Sequence, residues 1–258
     1  MKQQELKSLA DACVRKFNTL VPGEGLFHEP YTHVVVDNFL PEEIANTCLE
    51  SFPSLNESGW EQSNDADIEV KYRTTWQSEF DIPEGIVDVI RVLNSAPILK
   101  AMSTCLGIPK LMPDPYFSGG GLNLSTKGGL LDVHVDGNYH DASGLNRRAN
   151  VLIYLNPGWK EEYGGSFGIY SNTGDKLVKN IAPLFNRLVL FDSHDYSFHG
   201  LPDPINFPKD NPRRSIILYY YTKESRPDHQ VRESSPHSAL WVKRNLKDKR
   251  GNDTRKSY

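Results

Sequence analysis

Apolar and polar positions change their period partway along the chain. At the start, QQELKSLADACVRKF brings Leu6, Leu9, Ala10 and Cys13 onto one face at helical spacing, which predicts an amphipathic helix over about 3–18. A Pro/Gly loop, VPGEG, follows, and the β-branched run in THVVVDNFL predicts a strand. In PEEIANTCLESF, Pro41 stands at a first helical turn with two glutamates beside it, where the helix dipole favours negative charge. Residues 52–70 cluster Asn, Ser, Asp and Gly, and this composition predicts a mobile loop. PEGIVDVIRVLNSAPILKAMSTCLG predicts two helices broken at Pro97. From Leu111 onward the runs become short and β-rich: YFSGGGLNLS, LLDVHVD, RANVLIYLN, SFGIYS, KLVKNIA, RLVLFDS and RRSIILYYYT, separated by Gly, Pro, Asn and Asp.

Roughly eight strands after a helical preface predict a mainly β chain with N-terminal helices (α+β) and a double-stranded β-helix, or jelly-roll, core. The expected organisation is a single domain over 1–258 with no internal repeat. Residues 1–110 form a helix-rich support region, 111–223 the β core, and 224–258 a polar C-terminal extension, a solvated terminus. A length of 258 residues suffices for one sizeable core. A net charge of −4 gives no sign of a nucleic-acid surface. No apolar run approaches the roughly 20 residues of a membrane span, and the N-terminus lacks the apolar segment of a signal peptide. Cys13, Cys48 and Cys105 are odd in number and far apart, with neither a disulfide framework nor zinc spacing, so a reduced, cytoplasmic protein is expected. Oligomeric state is left open.

The chemistry concentrates in the β-rich part. In LLDVHVD, His134 and Asp136 are two apart, so in a strand both side chains leave the same face, and imidazole with carboxylate suits a divalent metal. RLVLFDSHDYSFHGLP offers His194 and His199, either of which could complete a site if that strand lies beside the first. Two histidines and one carboxylate form the facial triad of non-haem iron(II) oxygenases, with the opposite coordination face open for cosubstrate and dioxygen. Arg214 leads into the apolar run SIILYYYT, and an arginine at the edge of a core needs an anionic partner, for which its planar fork suits a carboxylate.

The order of these features, HxD, a strand ending in Tyr154, Gly-Gly, a lone His-Gly and an arginine before a β-run, resembles the prolyl-4-hydroxylase-like branch of the iron(II)/2-oxoglutarate-dependent dioxygenases. The resemblance covers about 110–223, with an echo in HVVVDNFLPEE. It implies that His134, Asp136 and His199 are the iron ligands, His199 rather than His194 because it follows Phe191-Asp192-Ser193 at the family's distance and precedes Gly-Leu-Pro. His140 is then a neighbour or a surface residue. Arg214, with Arg213 as competitor, would bind the distal carboxylate of 2-oxoglutarate, Tyr154 would help hold it, and Asn150, on the same strand face, would line the cavity.

The implied activity is hydroxylation of an unactivated C–H bond of a peptidyl prolyl, other amino-acid-like or small-molecule substrate. It would consume O2 and 2-oxoglutarate, release succinate and CO2, and use ascorbate as an optional reductant. Asp136 argues against the halogenase variants, which replace this carboxylate. The segment PDPINFPKDNP is an insertion expected at the site mouth, and LNLST lacks the tyrosine that many relatives carry before HxD. Trp60, Tyr72, Arg73 and Trp76, together with Asn138 and Tyr139, are candidates for a substrate-facing lid. Competing readings are a non-catalytic jelly-roll or cupin-like binding module, and a cupin metalloenzyme that does not use 2-oxoglutarate.

Overall fold

A computed structural model of the chain describes residues 1–232 and 235–247. Helix α1 (Gln3–Asn18) leads to β1 (Val21–Pro22), β2 (Gly25–Phe27) and β3 (His33–Val36). Then come α2 (Glu42–Glu50), a hairpin of β4 (Trp60–Asp65) and β5 (Glu69–Thr74), and helices α3 (Glu84–Leu93) and α4 (Ala96–Leu106). The rest is β: β6 (Met112–Pro113), β7 (Gly121–Ser125), β8 (Leu130–Leu131), β9 (His134–Val135), β10 (Asn146–Tyr154), β11 (Phe167–Tyr170), β12 (Leu177–Ile181), β13 (Arg187–Asp192), β14 (His199–Gly200), β15 (Arg213–Thr222) and β16 (Leu240–Trp241).

The strands form two sheets. The major sheet runs β1-β2-β3-β13-β10-β15-β7-β5-β4, with β6 and β8 attached, and the minor sheet runs β12-β11-β14-β9-β16. Strand alternation sorts the side chains of the major sheet cleanly. Ala149, Val151, Ile153, Leu188, Leu190, Ile216, Leu218, Leu122 and Leu124 join the core shared with the helices. The alternate positions Leu152, Tyr154, Val189 and Phe191 face the other way and pack with Phe167 and Ile169 of the minor sheet. Two stacked sheets with helices on the outer face of one are the expected jelly roll with its helical support. Among the described residues, no helix is long and apolar enough to cross a membrane.

The helices follow their local chemistry. Glu5 caps the start of α1 by accepting the Lys2 backbone N–H at 2.6 Å. The break between α3 and α4 falls at Asn94 and Ser95, with Pro97 inside the first turn of α4, where its missing N–H costs nothing.

Two expectations change. The stretch at 52–70 is not all loop: its polar residues build the β4–β5 hairpin, in register from Trp60↔Thr74 to Asp65↔Glu69. This hairpin is the outer edge of the major sheet, so its strands need little apolar content. The C-terminal extension is not simply solvated either: Leu240 and Trp241 are buried and pair with β9. The stretch 248–258 of the same expected tail lies outside the described residues.

Candidate active site

The site is built where β9 meets β14. In this antiparallel pair His199 lies directly opposite His134, so the two imidazoles share a face, with ring centroids 4.4 Å apart. Asp136 follows one residue beyond the end of β9. His134 Nε2 lies 3.8 Å from Asp136 Oδ1, and His199 Nε2 lies 3.5 Å from Asp136 Oδ2. One ligand atom from each of the three lies within 4.8 Å of the others.

The tautomers are decided by backbone carbonyls, which can only accept. His134 Nδ1 donates to Asp132 O at 2.8 Å and His199 Nδ1 donates to Ser197 O at 2.9 Å, so both Nε2 atoms carry their lone pairs toward Asp136. Burial and the neighbouring His199 hold His134 at about 3, and burial lowers His199 as well, so both rings are neutral. For Asp136 burial opposes ionisation, but Arg147 and the Asn150 amide outweigh it and hold the carboxyl well below its usual range. Asn150 Nδ2 donates to Asp136 Oδ2 at 2.5 Å, and Arg147 Nη2 stands 3.3 Å from the same oxygen. Two neutral imidazole nitrogens and one ionised carboxylate are the donor set that suits iron(II).

A cavity, partly open to solvent, extends from these residues between the sheets. Leu152, Phe167, Phe191, Leu131, Leu201 and Ile217 form its apolar wall, and Lys71, Asn123, Ser125, Arg213 and Tyr219 its polar one. Arg213, not Arg214, is the arginine in this cavity. On β15, positions 213, 217 and 219 face inward, whereas Arg214 turns out to Asn211 Oδ1 and the Pro212 carbonyl at 2.9 and 3.2 Å. An arginine directly before the apolar run is therefore on the wrong face by period two.

Arg213 Nε donates to Gly165 O at 2.7 Å, and its guanidinium carbon lies 5.0 Å from the Tyr154 ring centre. Gly165 has φ +70°, and a Cβ there would meet Arg213 Cδ at 2.9 Å, so this place in Gly-Gly needs glycine. Burial lowers Arg213 and raises Tyr154, whose buried hydroxyl has no hydrogen-bond partner. An unbonded buried hydroxyl beside a buried guanidinium is the polar end that a dicarboxylate would satisfy.

The histidine rivals have other partners. His194 sits in the loop before β14, its Nδ1 accepting the Tyr196 N–H at 3.2 Å. His140 Nε2 bonds Asp114 Oδ1 at 2.9 Å, while its Nδ1 accepts from Ala142 and Ser143.

The lid candidates do not line the cavity. Trp76 is core, edge-on to Phe117, and Tyr72 and Trp60 pack against the same core. Arg73 pairs with Glu61 at the surface. Asn138 bonds the C-terminal segment, accepting the His237 N–H at 2.9 Å, and Tyr139 bridges Asn146. The inserted segment packs down, with Ile205 and Phe207 buried.

Lys71, Asn123, Ser125, Arg147 and Tyr219 escaped the sequence reading. The signal for Lys71 was parity: if Tyr72 faces the core, its neighbour faces the cavity. Burial would lower Lys71, but Glu69, 2.6 Å away, holds it above its ordinary value. Arg147 had no such signal, because a register shift between Arg147 and Ala149 breaks the period of β10 there.

Residues 120–238 match the family model described as the 2OG-Fe(II) oxygenase superfamily. A prolyl 3-hydroxylase of Mus musculus, OGFOD1, is 29% identical over 86 residues, which is 32% of this chain; the chain spans 15% of that relative's length. A Trichoplax adhaerens prolyl hydroxylase, solved with a peptide fragment of the hypoxia inducible factor oxygen degradation domain, superposes with TM-score 0.57 at 21% identity, covering 86% of this chain and 94% of that one. A Pseudomonas putida prolyl-4-hydroxylase gives TM-score 0.55 at 17% identity, covering 83% and 98%.

Proposed function

We propose that this chain, whose residues 120–238 belong to the 2OG-Fe(II) oxygenase superfamily, is an iron(II)- and 2-oxoglutarate-dependent hydroxylase of the prolyl-4-hydroxylase-like branch. One observation carries the reading: the His134–Asp136–His199 cluster and Arg213, which lies beside the Tyr154 ring, line the same cavity.

His134, Asp136 and His199 would hold iron(II), and Arg213 with the Tyr154 hydroxyl would take the distal carboxylate of 2-oxoglutarate. When bound, these groups supply O2-dependent oxidation of an unactivated C–H bond, coupled to conversion of 2-oxoglutarate to succinate and CO2. The chain's own residues prepare the site. The Asp132 and Ser197 carbonyls fix the imidazole tautomers. Asn150 and Arg147 orient Asp136 and keep it ionised. The leucines, phenylalanines and isoleucine of the wall limit water at the reacting end.

The substrate we favour is amino-acid-like, either a peptidyl prolyl group or a small molecule; the names of the relatives support this class. A reduced, cytoplasmic setting remains our reading, supported by the free thiols of Cys13, Cys48 and Cys105.

The test is succinate formation from 2-oxoglutarate with iron(II) and ascorbate, without added substrate, followed by a substrate screen for stimulation. Succinate that disappears in His199→Ala supports the reading. If no succinate forms, anaerobic titration with iron(II) and 2-oxoglutarate decides: the absence of the chelate's charge-transfer band would leave a binding module, and iron binding indifferent to 2-oxoglutarate would leave a cupin-type enzyme.

A further inference from the structure

The strand that carries His134 is closed on its outer side by a segment beyond the family match, which ends at residue 238. Strand β16 pairs antiparallel with β9 in the register Leu240↔Val135 and Trp241↔His134. Cross-strand partners share a face, so the indole lies against the imidazole. The ring centroids are 4.5 Å apart with 26° between planes, and Trp241 is 3% exposed. His134 is thus held three ways: by the Asp132 carbonyl at Nδ1, by the His199 ring on one side and by Trp241.

The segment that brings Trp241 there is tied down on both sides. Upstream, Arg226 and His237 both reach Asp195, at 3.0 and 3.2 Å. Downstream, the Val242 N–H donates to Val133 O at 3.0 Å, Lys243 Nζ to Asp67 O at 3.0 Å, and Arg244 pairs with Asp65 at 2.7 Å. Trp241 therefore sits in a fixed frame between the ligand strand and the β4–β5 hairpin.

We propose that Trp241 is a positioning residue of the metal centre. Its indole sets the plane of the His134 ring so that Nε2 points at the position shared with Asp136 and His199. The torsion that turns an imidazole about its bond to Cβ is broad, and the single Nδ1 hydrogen bond leaves ring tilt free; the stack removes that freedom. The stack also couples to the metal directly. An imidazole bound to a cation is electron-poor, and the electron-rich face of an indole attracts it more than it attracts the free ring. A leucine could fill the same space without that preference.

The proposal rests on the triad being the iron site, and the test separates the two. Mn(II) binding to the full chain is followed by electron paramagnetic resonance, and the ligand-field spectrum of the Co(II) form is recorded. Wild type that binds no metal would sink the iron reading itself. With wild-type binding established and lost in His199→Ala, Trp241→Leu should weaken Mn(II) binding by roughly tenfold or more, as for other supports of metal ligands. It should also change the Co(II) spectrum, while Trp241→Phe restores most of both. A folded Trp241→Leu with wild-type affinity and spectrum overturns the proposal. If that variant does not fold, uniform replacement of tryptophan by fluorinated tryptophans, which keep the shape and withdraw charge from the ring face, decides. Affinity should fall stepwise with fluorination, with no such trend in the Trp241→Phe background. A flat series overturns the proposal.

Discussion

The two sheets line one cavity by different means. In the major sheet, β10 is nine residues long and buried from its second residue onward, between β13 and β15. Its cavity-lining Asn150 and Leu152 are held by ladders on both sides and by the helical core behind. In the minor sheet, the ligand strands β9 and β14 are two residues each, and their only mutual register is His199↔His134. Strands this short are held by what surrounds them: the Asp132 and Ser197 carbonyls, the Asn150 amide, and β16 from the far end of the chain. The cosubstrate end of the site is thus set by regular structure, and the metal end by side-chain and loop contacts, some two residues away in sequence and some from the far end of the chain.

If that division is right, changes at the metal end should damage metal binding most. Asp136→Ala removes a ligand and leaves Arg147 buried beside the vacated carboxylate position. Its metal affinity and succinate formation should fall by more than about 100-fold, beyond the span of outer-shell changes, while circular dichroism reports an intact fold. Full activity in that variant would break the ligand assignment.

At the cosubstrate end, a buried charged partner is lost without touching metal. Arg213→Ala should raise the 2-oxoglutarate requirement more than tenfold, from roughly 2–5 kcal/mol for a truncated buried charge pair, with iron affinity nearly unchanged. Arg214→Ala, already turned to Asn211, should shift the requirement less than about twofold. The reverse order in steady-state titrations would restore Arg214.

The major sheet's own stability can be read from His33, buried on β3, stacked on Phe27 at 5.0 Å and lowered by burial to about 4. The unfolded chain takes up a proton below 6.5 that the fold excludes until about 4, so stability falls as pH drops through that window. Urea unfolding between about pH 7 and pH 5 should lose about 2 kcal/mol from this group, and His33→Phe should shrink the loss by about that amount, leaving the share of the other buried histidines, His134, His194 and His199. A profile unchanged by the substitution would refute the assignment.

The smallest effect belongs to the hairpin surface. Arg73→Ala breaks an exposed pair with Glu61, whose side chains are 40% and 50% exposed, so stability should move by less than about 1 kcal/mol. Turnover should not change, since Arg73 does not line the cavity. A large kinetic effect in assays with an identified substrate would return Arg73 to the lid.

Much of this was visible in the sequence, and the limits have physical causes. Helical periodicity located α1 and the α3–α4 pair, and β-branched runs located the long strands, because a face buried along a regular element imposes its period on the residues. Parity was available for His134 and Asp136, which stand at the end of a strand with no register shift. The same rule groups Arg213 with positions 217 and 219 and Arg214 with 216 and 218, but IILYYY is apolar or aromatic at both parities, so only the folded sheets show that the face of Arg213 is the cavity face. The hairpin at 60–74 was hidden because an edge strand needs no apolar alternation. Residues 240 and 241 were hidden inside a polar tail because only two residues there are strand.

What the chain determined by itself was therefore the order of elements and the donor types: two imidazoles, a carboxylate and an arginine beside a β-run. Tertiary structure decided which arginine faces inward, that Arg147 and Asn150 converge on Asp136, and that a tryptophan 107 positions beyond His134 lies against its ring. Periodicity is a property of neighbours along the chain, whereas each of these contacts joins side chains from elements that only the folded sheets bring together.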